Sequence, residues 1–511
     1  MGKSDASAGR QISAPSLDEL RESARALNFE LSESELEMYA AFVTPMVADY
    51  QLVESMEDPR LPVTYPRGEG YRPAPSENTL NAWYWKCAIT GAQTGKLAGK
   101  RIVVKDNICV AGLPMMNGSN VWEGFIPEQD ATVVTRVLAD GGEILGKAVC
   151  ENFCFSGGSH TSATGPVQNP HNPAHMSGGS SSGCAALIVA GECDMAIGGD
   201  QGGSIRMPSS FSGCYGIKPT YGLVPYTGAF PIDQSVDHLG PMAGSSADCA
   251  LLLEVLAGYD DGLDPRQDPR LEPKPYTEAL TGDARGLKIG IVNEGFGTPV
   301  SEADVDEIVR SAAWRFEDAG ASVAEVSIPM HVQATSIMLA SMLDGTLSTF
   351  TDFSGAGPNP KGYAFTDAIR YYNQMRKERA ADMPVTVKTV LLFAHAMRER
   401  YGVYYSAKAQ NLIRGVRSAY NAALNNFDVL VMPTTVMKAL RIPGPDPSPE
   451  EVMASALPMI GNTAPFDATG HPSMSVPVGM SEGLPVGMML TGRWGEDDVV
   501  LRVGHAFENL G

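Results

Sequence analysis

No apolar run in this sequence approaches the roughly 20 residues that a membrane-spanning helix requires. The opening stretch, Met1 to Ser16, is small and polar and lacks the hydrophobic segment of a secretory signal. A cytoplasmic protein with no membrane partner is therefore expected. Basic residues are also in deficit: 38 Lys and Arg against 59 Asp and Glu leave a formal net charge of −21. Such a surface repels phosphate backbones and anionic lipid, which argues against a nucleic-acid partner. Cysteine is missing from the second half of the chain. Cys87, Cys109, Cys150, Cys154, Cys184, Cys193, Cys214 and Cys249 include no C-x-x-C pair, and their neighbours are often small or apolar. They read as buried free thiols in a reducing compartment, not as a disulfide frame or a zinc site. Three further motifs are absent. His171 and His175 are four apart but flank Pro173 and form no H-E-x-x-H. Gly91-Ala-Gln-Thr-Gly-Lys96 is too short for a phosphate-binding loop, and Gly295-Phe-Gly297 does not continue as a dinucleotide fingerprint. Neither a metal nor a cofactor is expected.

What the chain does have is core material, 43% hydrophobic residues over 511 positions, enough for one large α/β domain with an appendage. Two capping boxes, Ser16 to Glu19 and Ser32 to Glu35, open two predicted helices between residues 16 and 55, and Pro45 should interrupt the second. Pro59, Pro62, Pro66, Pro73 and Pro75 then mark a linker, so residues 1–80 read as a helical N-terminal region. Its apolar stripe needs cover from the core or from a second subunit. From about residue 98, strand and helix signals alternate: strands at 101–104, 143–149, 194–197, 288–292, 322–328, 429–431 and 485–490, with helices at 130–138, from 184, at 303–318 and at 499–509. This pattern predicts a doubly wound α/β sheet over residues 81–511, with 330–425 as a mostly helical insertion broken at 355–362.

Two glycine-rich segments carry the chemical signal. Met176-Ser-Gly-Gly-Ser-Ser-Ser-Gly183 precedes an apolar helical run, and such a turn presents backbone N–H groups. Ile197-Gly-Gly-Asp-Gln-Gly-Gly-Ser-Ile-Arg206 follows a strand, and its glycines let N–H groups converge on an oxyanion, with Ser204 as nucleophile. On that segment alone, a tight turn capped by Ser204 is an equal reading. A serine nucleophile needs a base. His160, His238, His331, His395, His471 and His505 stand alone, whereas Lys105 ends the apolar run Ile102-Val-Val104. Loss of solvation there would favour the neutral amine that a base must be. A buried ion pair with Asp106 is the rival reading. Gly179-Ser-Ser-Ser-Gly183 also matches G-x-S-x-G, which would make Ser181 the nucleophile, but no strand signal directly precedes it.

Together these residues resemble the amidase-signature family, whose pattern is a lysine after a strand, a GGSS-type segment, and a GGSIR-type segment 24 residues beyond the first serine; Ser180 and Ser204 stand 24 apart here. The resemblance spans roughly residues 85–511. Within the family the likeness is to bacterial nitrile-degradation-type, enantioselective amidases with a helical N-terminal region, through Pro114–Ser119, Glu151–Gly157, Gly222–Pro231, Asp237–Pro241 and Asn462–Asp467. Ser182-Gly183-Cys184 departs from the more common Gly-Gly-Ser or Gly-Gly-Ala. The resemblance implies a mixed twisted sheet flanked by helices on both faces and a catalytic triad of Ser204, Ser180 in a cis peptide, and Lys105. It implies an oxyanion hole from the N–H groups of Gln201, Gly202, Gly203 and Ser204. It makes Asp200 and Arg206 structural braces and Phe155 and Ile460 pocket residues, although ordinary core packing would equally explain the last two. The implied reaction is hydrolysis of small aliphatic or aromatic carboxamides to acid and ammonia through an acyl-enzyme, with esters, anilides or carbamates as side substrates. A homodimer through residues 1–80 is implied as well. The glutaminase subunit of a tRNA-dependent amidotransferase is the alternative. A non-catalytic scaffold would lack a triad residue, and a lipid amidase would need an apolar anchor.

Overall fold

The computed structural model describes residues 12–359 and 361–510. The reading of Met1 to Ser16 as free of an export signal lies, up to residue 11, outside the described residues. The chain divides into two compact units, one ending at Leu61 and one beginning at Pro62. In the first, helices Leu17–Ala26, Glu33–Val43 and Val47–Ser55 follow one another. The Glu19 and Glu35 carboxylates accept the Ser16 and Ser32 N–H groups at 2.7 Å, and each serine oxygen accepts back, so both boxes satisfy donors that the first turn leaves open. Pro45 lies in the 3₁₀ turn Thr44–Met46 that separates the second helix from the third. Of the described side chains in this unit only Ala24 and Leu36 are buried among the hydrophobic ones, while Phe42, Met46, Tyr50 and Val53 are exposed. The division falls near residue 61 and not 80: Arg67 pairs with Asp130, and Tyr71 bridges Lys86, so the later prolines belong to the second unit.

The second unit is built on a sheet of eleven strands among the described residues: β1 (Trp83–Thr90), β2 (Arg101–Lys105), β3 (Glu143–Ala148), β4 (Met195–Asp200), β5 (Tyr215–Lys218), β6 (His238–Ala243), β7 (Lys288–Val292), β8 (Ser322–Val326), β9 (Val429–Pro433), β10 (Ser473–Ser481) and β11 (Leu484–Thr491). Their spatial order is β1-β3-β2-β4-β6-β5-β10-β11-β9-β7-β8. β3, β2 and β4 are parallel, as are β9, β7 and β8, but the pairings from β4 through β6, β5, β10 and β11 to β9 are antiparallel. The sheet is therefore mixed, and the purely doubly wound pattern describes only its two flanks. β5 and β6 escape a sequence reading because Gly216, Gly240 and Pro241 give them a loop-like texture, yet every residue in both is buried. Burial on both faces replaces the alternation by which strands are normally recognised.

Helices Thr132–Ala139, Ser246–Leu256 and Asp497–Glu508 flank the sheet; Val133, Val137, Leu253 and Val500 join Ile102, Val104 and Ile197 in one core. Each such side chain contributes about 1.5–3 kcal/mol on full burial, so the strand that ends in Lys105 is held firmly. Between residues 330 and 425, helices His331–Leu347, Thr366–Glu378, Val385–Tyr401 and Tyr404–Leu424 form the helical block. Gly355, with φ +86°, lies in its break. Despite the departure at Ser182-Gly183-Cys184, helix Ser182–Val189 forms, with its Gly183 too close to the Ala82 carbonyl for any side chain.

Candidate active site

Lys105 is fully buried at the carboxyl end of β2, beside the parallel β4, where Val104 lies opposite Ile197. Its Nζ donates to Ser180 Oγ at 2.8 Å and to the Gly199 carbonyl at 2.9 Å. Asp106 turns elsewhere. It accepts the N–H groups of Met116 and Asn117 at 2.9 Å each, and Lys147 Nζ lies 3.0 Å from its other oxygen. The Lys105–Asp106 ion pair that local sequence allowed therefore does not form. Burial pushes the Asp106 carboxyl above the usual range, with Lys147 acting in the opposite direction.

The Gly179–Ser180 peptide is cis. Gly179 has no room for a side chain, since a Cβ would sit 2.1 Å from the Gly158 carbonyl oxygen. The next residue ties the two glycine-rich segments together: Ser181 N–H donates to the Ser204 carbonyl at 3.2 Å. Ser181 Oγ donates to the Gly199 carbonyl at 3.1 Å and accepts the Gly199 N–H at 3.2 Å. That hydroxyl is buried and committed to β4, so the G-x-S-x-G match marks a structural serine. Among the described residues no direct hydrogen bond links the Ser180 and Ser204 hydroxyls.

Asp200, at the end of β4, shapes the second loop. Its carboxylate accepts Gly203 N–H at 2.5 Å and Ile205 N–H at 2.9 Å. Arg206 holds it from the other side with two 3.0 Å bonds and continues to Asp467 at 2.6 Å and to the Thr463 carbonyl at 2.8 Å. All three charged groups are fully buried. Burial opposes the Asp200 charge, but the Arg206 guanidinium outweighs it and holds the carboxyl far below the usual range. Burial and the neighbouring Asp200 push Asp467 up. Gly203 adopts φ +131°, and a Cβ there would lie 2.3 Å from Thr463 Oγ1, so both conformation and space require glycine. Because Gly203 N–H points at Asp200, it is engaged. Those of Gln201, Gly202 and Ser204 have no intramolecular acceptor among the described residues.

Ser204 opens onto a cleft of about 410 Å³ walled by Phe155, Met207, Ile232, Met338, Leu457 and Ile460. The lining holds no Asp, Glu, Lys, Arg or His among the described residues. Phe155 and Ile460 thus face the same space as Ser204. Another cleft, of about 710 Å³ between Trp122, Phe230, Arg266 and Phe365, is lined by none of Lys105, Ser180 and Ser204.

Cys154 also lines the Ser204 cleft, and sequence reasoning left it among the inert thiols. Phe153 and Cys154 are successive non-glycine residues with φ of 55° and 58°, a costly backbone shape that sets the thiol against Lys105 and Ser180. Its Sγ lies 3.4 Å from Asn117 Oδ1. Burial works against the thiolate, but Cys150, the Lys105 charge and the Ser180 hydroxyl together bring the thiol down to about 7. Nothing in the run Asn152-Phe-Cys-Phe155 signals this. No group of three or more His, Cys, Asp and Glu side chains that could hold a metal ion occurs among the described residues.

A sequence model for the amidase family matches residues 72–501. The chain belongs to the amidase-signature family. It is 44% identical over 485 residues to an enantioselective amidase of Rhodococcus rhodochrous, covering 94% of this chain and 93% of that one. It is 36% identical over 415 residues to a glutamyl-tRNA(Gln) amidotransferase subunit of Methanosarcina barkeri, covering 81% and 85%. A bacterial aryl acylamidase of the same family shares the fold with a TM-score of 0.70 over 98% of this chain and 97% of its own, at 23% identity. This amidase is accordingly a hydrolase acting on amide C–N bonds, with a large mixed central sheet flanked by helices.

Proposed function

We propose that this amidase hydrolyses small carboxamides with an apolar acyl group to carboxylate and ammonia, with Ser204 as nucleophile, Ser180 as relay and Lys105 as base. Ser204 Oγ bonds to the carbonyl carbon as its proton passes to Ser180, whose own proton passes to Lys105 Nζ. The carbonyl oxygen becomes an oxyanion held by the N–H groups of Gln201, Gly202 and Ser204, while Gly203 is fixed by Asp200. The proton returns through Ser180 to the leaving nitrogen, the C–N bond breaks and ammonia departs. Water then repeats the sequence on the acyl-enzyme and regenerates Ser204.

The observation that carries this reading is the 2.8 Å contact between fully buried Lys105 and Ser180, next to the loop that bears Ser204. The cleft supports the substrate class. Phe155, Met207, Met338 and Ile460 offer apolar contact, and methionine walls adapt to varied acyl shapes. The amidotransferase likeness makes glutamine the competing substrate. Its α-ammonium and α-carboxylate would enter a cleft without a counter-charge, and burying unpaired ions costs several kcal/mol. Esters, anilides and carbamates pass through similar tetrahedral intermediates and fit as side substrates.

We also read the first unit as the surface through which two copies associate in a cytoplasmic homodimer. Exposed Phe42, Met46, Tyr50, Leu52 and Val53 form more apolar surface than a free helical segment usually carries, and eight free thiols suit a reducing compartment. A net charge of −21 speaks against a nucleic-acid partner. The deciding experiment is ammonia release from benzamide, propionamide and glutamine by the wild type and by Ser204→Ala. Hydrolysis of the simple amides that Ser204→Ala loses is the expected result. Cleavage of glutamine alone would favour the amidotransferase reading, and full activity in the variant would remove Ser204 from the mechanism.

A further inference from the structure

Gln201 to Ser204 join β4 to the helix Arg206–Ser212, and the peptide units of this loop are not held alike. The Gly203–Ser204 peptide is anchored through its carbonyl, which accepts the Met207 N–H at 2.7 Å as the helix begins. The Gly202–Gly203 peptide is gripped at both ends. Its N–H donates to Asp200 at 2.5 Å, and its carbonyl accepts Thr463 Oγ1 at 2.6 Å. Thr463 Oγ1 also lies 3.3 Å from the Ile460 carbonyl, but a hydroxyl carries one proton, and the shorter approach takes it. Thr463 is itself fully buried and fixed. Its carbonyl accepts Arg206 Nη1 at 2.8 Å. Asn462, the residue before it, donates to the Gly295 and Pro433 carbonyls at 2.9 and 2.7 Å, and its Oδ1 lies 3.0 Å from His331 Nε2. A hydroxyl on so constrained a backbone has one place to point.

We propose that Thr463 is a positioning residue whose hydroxyl locks the Gly202–Gly203 peptide and so holds the flanking N–H groups of Gly202 and Ser204 in place for the substrate's carbonyl oxygen. The inference rests on the reading of that loop as the oxyanion site. Two successive glycines give this stretch the widest conformational freedom a chain can have, so its shape must be imposed from outside. Asp200 fixes only the N–H end of the central peptide. Without Thr463 the carbonyl end has no partner, and the peptide can tilt about the remaining bond. The Ser204 donor keeps a second anchor, because the Gly203 carbonyl stays on Met207. The Gly202 donor has none of its own, and it is the one that Thr463 controls. Thr463 is absent from the residues that wall the Ser204 cleft, so it acts through the loop and not on the substrate. A displacement of about 1 Å at such a donor can cost roughly a hundredfold in rate.

The test compares kcat and KM on benzamide for Thr463→Val and Thr463→Ser with the wild type. Valine keeps the shape and removes the donor, so kcat should fall roughly ten- to a hundredfold while KM stays within about twofold, as expected for an interaction that matters in the transition state. Serine keeps the donor and loses only the methyl group, so it should hold kcat within about threefold. If the valine variant does not fold, Thr463→Cys, a weaker donor of similar size, takes its place with the same expectation of a lower kcat at unchanged KM. Hydrogen exchange over residues 200–205 gives a readout independent of turnover: the Gly203 N–H should exchange faster in Thr463→Val than in the wild type and in Thr463→Ser. The proposal is overturned if Thr463→Val keeps the wild-type kcat, if Thr463→Ser loses as much as Thr463→Val, or if exchange in the loop is the same in all three. Retained activity in Ser204→Ala would instead overturn the reading of the site and leave the exchange result standing.

Discussion

Ser16 and Ser32 cap their own helices through glutamates three residues away, whereas Arg206 braces the loop that bears Ser204 through Thr463 and Asp467, 257 and 261 residues further along the chain. The N-terminal unit hides two hydrophobic side chains among its described residues; the site buries Lys105, Asp200, Arg206 and Asp467 completely. One region is specified by contacts within a turn and exposes its apolar side chains. The other is specified by contacts across the whole fold and encloses its charges. Local signals are enough to start a helix but cannot enclose a charge, because removing an ion from water requires partners that only a folded core can gather.

That contrast can be broken from its largest effect downward. Ser204→Ala should reduce kcat on a simple amide by roughly four to six orders of magnitude, while circular dichroism and thermal unfolding stay close to wild type. Equal activity in the variant would detach the buried loop from the chemistry. Arg206→Ala leaves two buried carboxylates without their cation and should destabilise the second unit by about 3–5 kcal/mol, measured by urea unfolding. A loss near the 1 kcal/mol scale of a surface pair would mean the network is not enclosed as described. Alkylation of Cys154 by iodoacetamide should inactivate the enzyme, and its rate should climb as the pH rises through about 7, where the thiolate forms. Benzamide should protect against it and Cys154→Ala should resist it; a rate that only climbs above pH 8 would indicate an ordinary thiol. Removing residues 1–61 should leave the unfolding of the second unit intact, because that unit has its own core, and should convert a dimer to a monomer in sedimentation. Ser32→Ala, the smallest change, should cost its helix about 1 kcal/mol and leave kcat unaltered, with hydrogen exchange in Glu33–Val43 as the measure.

Much of the second unit was legible because its outer strands and helices carry strong patterns. Lys288–Val292 and Ala303–Asp318 occur as read, since an apolar run and a 3.6-residue stripe each have one good solution. The central antiparallel strands were not legible, because β5 and β6 are rich in glycine and proline and gain their order from neighbours on both sides. At the site, the glycine-rich turn after a strand and the lysine at a strand end pointed to Ser204 and Lys105, while Ser180 came only from the resemblance to the family. Cys154 gave no such signal: a thiol acquires unusual protonation only from what surrounds it.

By itself the sequence determined the helix caps, the outer strands, the acidic surface and the residue types of the two serine–glycine loops, all properties carried by a few neighbouring positions. The tertiary structure alone decided that Lys105 contacts Ser180 and not Asp106, that Ser181 is tied to β4, and that the Gly203 N–H serves Asp200. It also decided that an apolar cleft meets Ser204. These are choices between partners that sequence spacing leaves equal, and they are settled only when strands far apart in the chain pair and exclude water.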